Sequence, residues 1–129
     1  MEHYTTQNPY EKAFGYSRST KRGPFIFVSG TTAIDPTTGI LGANSSAYEQ
    51  AAAAFRNILE AVEALGGTKR DIARVRIFVA LQEDTDGVSK ALKEFCASVP
   101  PGPAATMIVG ASFVDEMMKV EIEADAVVM

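Results

Sequence analysis

The sequence predicts an α+β two-layer sandwich, a mixed β-sheet with two helices on one face. Three observations predict it. Two segments repeat apolar residues at three- and four-residue spacing, and each lies between β-rich runs. The last run, residues 119–128, alternates apolar and acidic residues as a half-buried strand does. The resulting order is β-β-(β)-α-β-α-β-β, in which right-handed crossovers place both helices on the same side of the sheet.

The elements follow in order, within a single domain expected over residues 1–129. Residues 1–13 are polar and are expected to be loosely ordered. Tyr16 to Lys21 and Phe25 to Ser29 read as strands joined by the turn residues Arg22-Gly23-Pro24. Asp35-Pro36-Thr37-Thr38-Gly39 is a second turn. Ser46-Ala47-Tyr48-Glu49 fits a capping box, in which the serine accepts an orphan amide and the glutamate reaches back. From there Tyr48, Ala51, Ala52, Phe55, Ile58 and Leu59 begin one apolar face that Val62 and Leu65 extend. Gly66-Gly67 ends that helix. A turn from Thr68 to Asp71 precedes a strand from Val75 to Leu81. A second helix covers about Asp86 to Ala97, burying Val88, Leu92 and Phe95, and Pro100-Pro101-Gly102-Pro103 stops it. Strands near Ala105–Val109 and Lys119–Val128, joined around Asp115, complete the chain.

Strand faces carry a further implication. Val120, Ile122, Ala124 and Ala126 share one face of the last strand, and Glu121, Glu123 and Asp125 share the other. In the hairpin both faces are apolar, with Phe25 and Phe27 opposite Ile26 and Val28. Helices cover only one side of such a sheet. Self-association is the economical cover for the second.

Composition narrows the chemistry. The chain has 129 residues, 47% of them hydrophobic and 22% charged, as in ordinary soluble domains. A net charge of −4 argues against nucleic acid as a partner. A local basic cluster, Arg18, Lys21 and Arg22, reads as charges on a solvated hairpin edge. One cysteine, Cys96, and one histidine, His3, cannot assemble a metal cluster or an internal disulfide. His3 lies in the segment expected to be loose, and Cys96 sits in a helical apolar pattern as a packed thiol. Ser-His-Asp, Cys-His and zinc hydrolase chemistry are thereby set aside. The amino terminus has no apolar run or cleavage pattern, and no segment has transmembrane length. The chain therefore reads as a soluble cytoplasmic protein with no membrane association.

The blocks Gly15-Tyr16-Ser17, Phe27-Val28-Ser29-Gly30-Thr31, Pro103-Ala104 and Val120-Glu121-Ile122-Glu123-Ala124 closely resemble those of the RidA (YjgF-like) family. The match runs from about residue 12 to the end. The resemblance implies a chorismate-mutase-like fold and a homotrimer whose sheets line a central barrel, with small-molecule clefts between subunits. It implies an activity too. Deaminases of this family hydrolyse enamine or imine intermediates released by pyridoxal-phosphate enzymes, giving ketoacids and ammonia without a cofactor. Carried over one at a time, the cleft tyrosine corresponds to Tyr16, the serine at the strand end to Ser29, and the carboxylate to Glu121. Backbone groups beside Gly30 and Thr31 line the same pocket.

Two positions depart from the pattern. Where such deaminases carry Pro-Ala-Arg-Ser, this chain has Pro103-Ala104-Ala105-Thr106, so Ala105 replaces an arginine that would clamp a substrate carboxylate. Ser89 stands where a helix asparagine is often found. Arg18 shares a face with Tyr16 and is the candidate substitute anchor for an anion. Glu121 is the candidate general acid/base, provided burial raises its pKa. The leading expectation is a cofactor-free enamine/imine hydrolase with an altered substrate range, neutral or aromatic. The alternatives are a tautomerase, hydratase or cyclase on a small metabolite, and a non-catalytic ligand-binding trimer. Family members have also been linked to RNA cleavage and translation inhibition, which the acidic balance and the lack of a histidine pair disfavour here.

Overall fold

A computed structural model describes residues 2–42 and 45–129; Met1, where the reading of the amino terminus begins, lies outside them. Six strands form one sheet in the order β1-β2-β3-β6-β4-β5. These are β1 (Glu2–Tyr4), β2 (Ser19–Arg22), β3 (Phe25–Thr31), β4 (Ile72–Val79), β5 (Ala104–Val109) and β6 (Val120–Val127). The helices are α1 (Pro9–Phe14), α2 (Ala47–Glu63) and α3 (Thr85–Cys96). Only β4 and β5 pair in parallel, which makes the sheet mixed as expected.

The expectation for residues 1–13 needs correction over its described part. Residues from Glu2 onward form β1, which pairs with β2, and begin the short helix α1. Asn8 caps that helix, its side chain accepting from the Tyr10 amide at 3.0 Å, and Pro9 opens it. Asn followed by Pro at the first helical position is a helix-start signal that the polar composition obscured. His3 consequently sits in a strand, its Nδ1 3.2 Å from the Ser17 hydroxyl.

The turn chemistry behaves as its residues dictate. Gly23 takes φ +57° between the paired ends Arg22 and Phe25. Asp35 Oδ1 accepts from the amides of Thr37 (2.7 Å) and Thr38 (3.2 Å), an Asx turn. The strand expected over Val75–Leu81 instead spans Ile72–Val79, because the single turn at Lys69–Asp71 feeds directly into it and Leu81 is exposed.

The capping box of α2 is complete. Ser46 Oγ accepts from the Glu49 amide at 3.1 Å, and the Ser46 amide donates to Glu49 Oε1 at 3.0 Å. Ser46→Ala is expected to cost about 1 kcal/mol, measured by urea unfolding at fixed protein concentration.

Both long helices pack on the face of the sheet that carries Ile26, Val28, Val75, Ile77, Val120 and Ile122, all buried. Phe55 of α2 stacks on Phe95 of α3 at 4.8 Å. Burial in β6 alternates without a break, so Glu121, Glu123 and Asp125 face away from the helices. On that second face Phe25 and Phe27 remain 48% exposed, and Ile108 on edge strand β5 remains 50% exposed, leaving apolar surface uncovered in the single chain.

Two polar side chains of α2 tie the helix to the loops that frame the site. Gln50, fully buried, donates to the Met117 carbonyl (3.0 Å) and accepts from the Lys119 amide (2.9 Å) at the entry to β6. Asn57 donates to the carbonyls of Thr32 (3.0 Å) and Ile34 (2.8 Å), just after β3. Among the described residues, no helix is long and apolar enough to cross a membrane.

Candidate active site

Strands β3 and β6 are neighbours, and a bulge between Val28 and Thr31 interrupts their register. A bulge re-aims the side chains that follow it. Here it brings Gly30 against the side chain of Glu121. A methyl group placed on Gly30 would lie 2.9 Å from Glu121 Cδ and 3.1 Å from each carboxylate oxygen. The missing Cβ is therefore the space that the carboxylate occupies. Gly30→Ala is expected to push the carboxylate aside, leaving the fold almost intact, since only a side-chain end must move. A displacement of this size should lower any Glu121-dependent turnover by about 10²-fold, with little change in thermal midpoint.

Glu121 lines a pocket of about 220 Å³ together with Gly30. The polar groups at its edge come from Asn8, Tyr16 and Thr32, and its apolar walls from Tyr10 and Phe14 of α1 and Val114 and Met118 before β6. Burial in this setting pushes the Glu121 carboxyl above its ordinary value near 4.5. The nearby Arg18 guanidinium partly opposes that shift, and Glu123 adds to it. Burial therefore holds the proton on this carboxyl more tightly than water would. Its neighbours differ. Glu123 and Asp125 share the guanidinium of Arg76 at 3.3 and 3.2 Å in partly exposed pairs of small energetic value.

Tyr16 lines the same pocket, and its hydroxyl accepts from Arg18 Nη2 at 3.2 Å. That leaves the phenolic proton free to donate to a ligand. Arg18 itself departs from both expectations, the exposed hairpin charge and the substitute anion anchor. It is 3% exposed and pairs with the equally buried Glu11, Nε lying 3.2 Å from Glu11 Oε2. Its Nη1 donates to the Gly30 carbonyl at 2.9 Å and lies 3.4 Å from Thr31 Oγ1. The guanidinium also stands 5.5 Å from the Tyr16 ring centroid. Arg18 thus positions Tyr16 and Gly30 from behind the pocket, with its charge already matched.

Ser29 and Thr31 turn inward. The Ser29 hydroxyl donates to the Ser17 carbonyl at 2.7 Å, and the buried Thr31 hydroxyl donates to the Ser29 carbonyl at 2.7 Å. Past the bulge it is Thr32 that lines the pocket. Ser89 on α3 and Ala105 and Thr106 on β5 are exposed and do not reach Glu121 within one chain. Glu121 pairs with Phe78 and Phe78 with Ile108, which puts Ala105 two strands away and three residues back. Cys96 is half-buried, and burial pushes its thiol up, as befits a packed thiol.

Asn8, Tyr10, Phe14, Thr32, Val114 and Met118 were not legible as site residues. Four of them depend on α1 or on the bulge, and a pocket wall of this kind leaves no periodic trace in a sequence.

Fold and pocket together define a class: a small mixed-sheet α+β protein with a partly buried carboxylate set against a strand glycine. The Endoribonuclease L-PSP family model matches residues 5–128, so the chain belongs to that family, the RidA (YjgF-like) group whose blocks it carries. An uncharacterised protein of Streptomyces coelicolor is 33% identical over 119 residues, 92% of this chain and 86% of the relative. A 2-iminobutanoate/2-iminopropanoate deaminase of Dermatophagoides farinae is 29% identical, over 88% of this chain and 85% of the relative. The crystal structure of a Mycobacterium tuberculosis member of the YjgF/YER057c/UK114 family superposes with a TM-score of 0.84 at 28% identity, covering 98% of both chains.

Proposed function

We propose that this protein is a cofactor-free enamine/imine hydrolase of altered substrate range, working in the cytoplasm as a homotrimer with its clefts between subunits. The observation that carries the reading is Glu121, an acid whose burial raises its pKa, seated in a pocket against Gly30. In the reaction, Glu121 takes a proton from water as the oxygen adds to the imine carbon, and returns it to nitrogen to give a carbinolamine. The carboxylate then takes the proton of the new hydroxyl and passes it to nitrogen as the carbon–nitrogen bond breaks, so that C=N plus water becomes C=O plus ammonia. Tyr16 donates a hydrogen bond to the ligand. The named activity of the Dermatophagoides relative supports this reading.

The apolar second face of the sheet supports the trimer, since Phe25, Phe27 and Ile108 need cover. A trimer also gives Ser89, Ala105 and Thr106 a route to the Glu121 pocket of a neighbouring subunit. Ala105 in place of the family arginine supports the altered range.

The test generates imines with amino-acid and amine oxidases while the protein is titrated in, following ammonia release. Acceleration proportional to protein is expected. If no imine of the panel is accelerated, the hydrolase reading is lost, and a tautomerase, hydratase, cyclase or pure binding role takes its place.

A further inference from the structure

Three features of the pocket bear on what it holds. First, among the described residues lining it there is no lysine or arginine, while Glu121 supplies a carboxylate. The nearest guanidinium, Arg18, is already paired with Glu11 and hydrogen-bonded to Gly30 and Tyr16. An incoming carboxylate would lose its hydration without a cation in return.

Second, one wall is a pair of aromatic rings. Tyr10 and Phe14 stack at 5.9 Å with an interplanar angle of 11°, and Phe14 is 68% exposed at the mouth. Val114, 68% exposed as well, and the buried Met118 also line it. Flat rings together with aliphatic and thioether groups suit an aromatic or branched apolar body.

Third, the polar end is neutral and includes an unpartnered group. Thr32 is 4% exposed, and its Oγ1 has no hydrogen-bond partner. It sits between the pocket and a cavity behind it of about 10 Å³, and Asn8 lines both spaces. A buried hydroxyl without a partner is rare and calls for one.

Resting on the hydrolase reading for its chemistry, but not for its binding test, we propose that this pocket selects an uncharged ligand. The ligand has an aromatic or branched apolar body lying on Tyr10 and Phe14, and a neutral hydrogen-bonding head received by Thr32. For an imine substrate this means a compound without an α-carboxylate, the imine of a simple amine, hydrolysed to an aldehyde and ammonia.

The experiment has two arms. Calorimetric titration compares phenylacetamide with phenylacetate, which share a body and differ in head charge. The amide should bind roughly tenfold tighter or more, and Thr32→Val should remove most of that advantage. Valine replaces the hydroxyl by a methyl group, so the fold is spared the loss of any existing hydrogen bond. The second arm compares hydrolysis of the imines of phenethylamine and phenylalanine, with the former expected to be faster.

Phenylacetate binding as tightly as the amide, or neither compound binding, overturns the proposal. An amide preference that Thr32→Val leaves intact removes Thr32 as the head-group contact and overturns the assignment. Amide binding with no hydrolysis of either imine leaves the ligand class standing and removes the hydrolase reading. Equal hydrolysis of both imines does the reverse.

Discussion

Glu121→Gln is expected to lower imine hydrolysis by about 10²–10⁴-fold, the usual contribution of a positioned general acid/base. Glutamine keeps the shape and the hydrogen-bonding reach but can neither accept the proton from water nor return one to nitrogen. The same substitution should raise stability at neutral pH, and the sign follows from the raised carboxyl. A folded state that holds the proton more tightly than the unfolded chain loses stability as pH rises from the ordinary value near 4.5 through the raised one. The wild-type protein therefore carries a penalty above that window, and the glutamine variant, which does not titrate, is free of it. Thermal midpoints of the two proteins should coincide below pH 4.5 and separate in favour of the variant toward pH 7. A catalytic loss without this pH-dependent gain would mean that the carboxyl is solvated rather than buried. Wild-type turnover should rise with pH along an acidic limb displaced above 4.5, because the first step needs the ionised form.

The largest expected loss of stability belongs to Glu11→Ala. Glu11 and Arg18 are both nearly inaccessible, and Glu11 also accepts from the Thr6 amide at 2.7 Å and the Thr6 hydroxyl at 2.6 Å. Removing the carboxylate leaves a buried guanidinium without its counter-charge, which costs about 3–5 kcal/mol. Thermal unfolding at fixed protein concentration measures the loss. Removing both charges should recover much of it, since two apolar or neutral groups leave no charge stranded. Glu11→Gln combined with Arg18→Met is thus expected to be more stable than Glu11→Gln alone. If the double variant is the less stable of the two, Arg18 matters for its bonds to Gly30 and Tyr16 more than for its charge. Either change should also loosen α1, and with it the Tyr10–Phe14 wall.

The Glu11–Arg18 pair marks where reading the chain stops working. Residues 1–13 contain few apolar side chains, and periodicity has little to act on there. What orders residues 2–13 is a cap, a proline and a buried ion pair whose partner lies seven positions away on the approach to another strand. Arg18 likewise has the sequence context of a solvated hairpin charge, yet it is among the least exposed residues of the chain. Thr32 replaces Thr31 in the pocket for a similar reason, since the bulge in β3 breaks the alternation that assigns faces.

The sequence by itself determined the sandwich, because burial periodicity is local: the capped α2, the amphipathic α3 and the alternating β6 each declare their buried face within a dozen or so residues. Its resemblance to the family also made Glu121, Tyr16 and Gly30 candidates. Only the tertiary structure decided what those residues are next to. Whether a carboxylate is merely one of three on a solvated strand or an acid with a raised pKa depends on a glycine from β3 and a wall from α1. Both are brought to it by pairing and packing across long stretches of chain, and no local pattern records them.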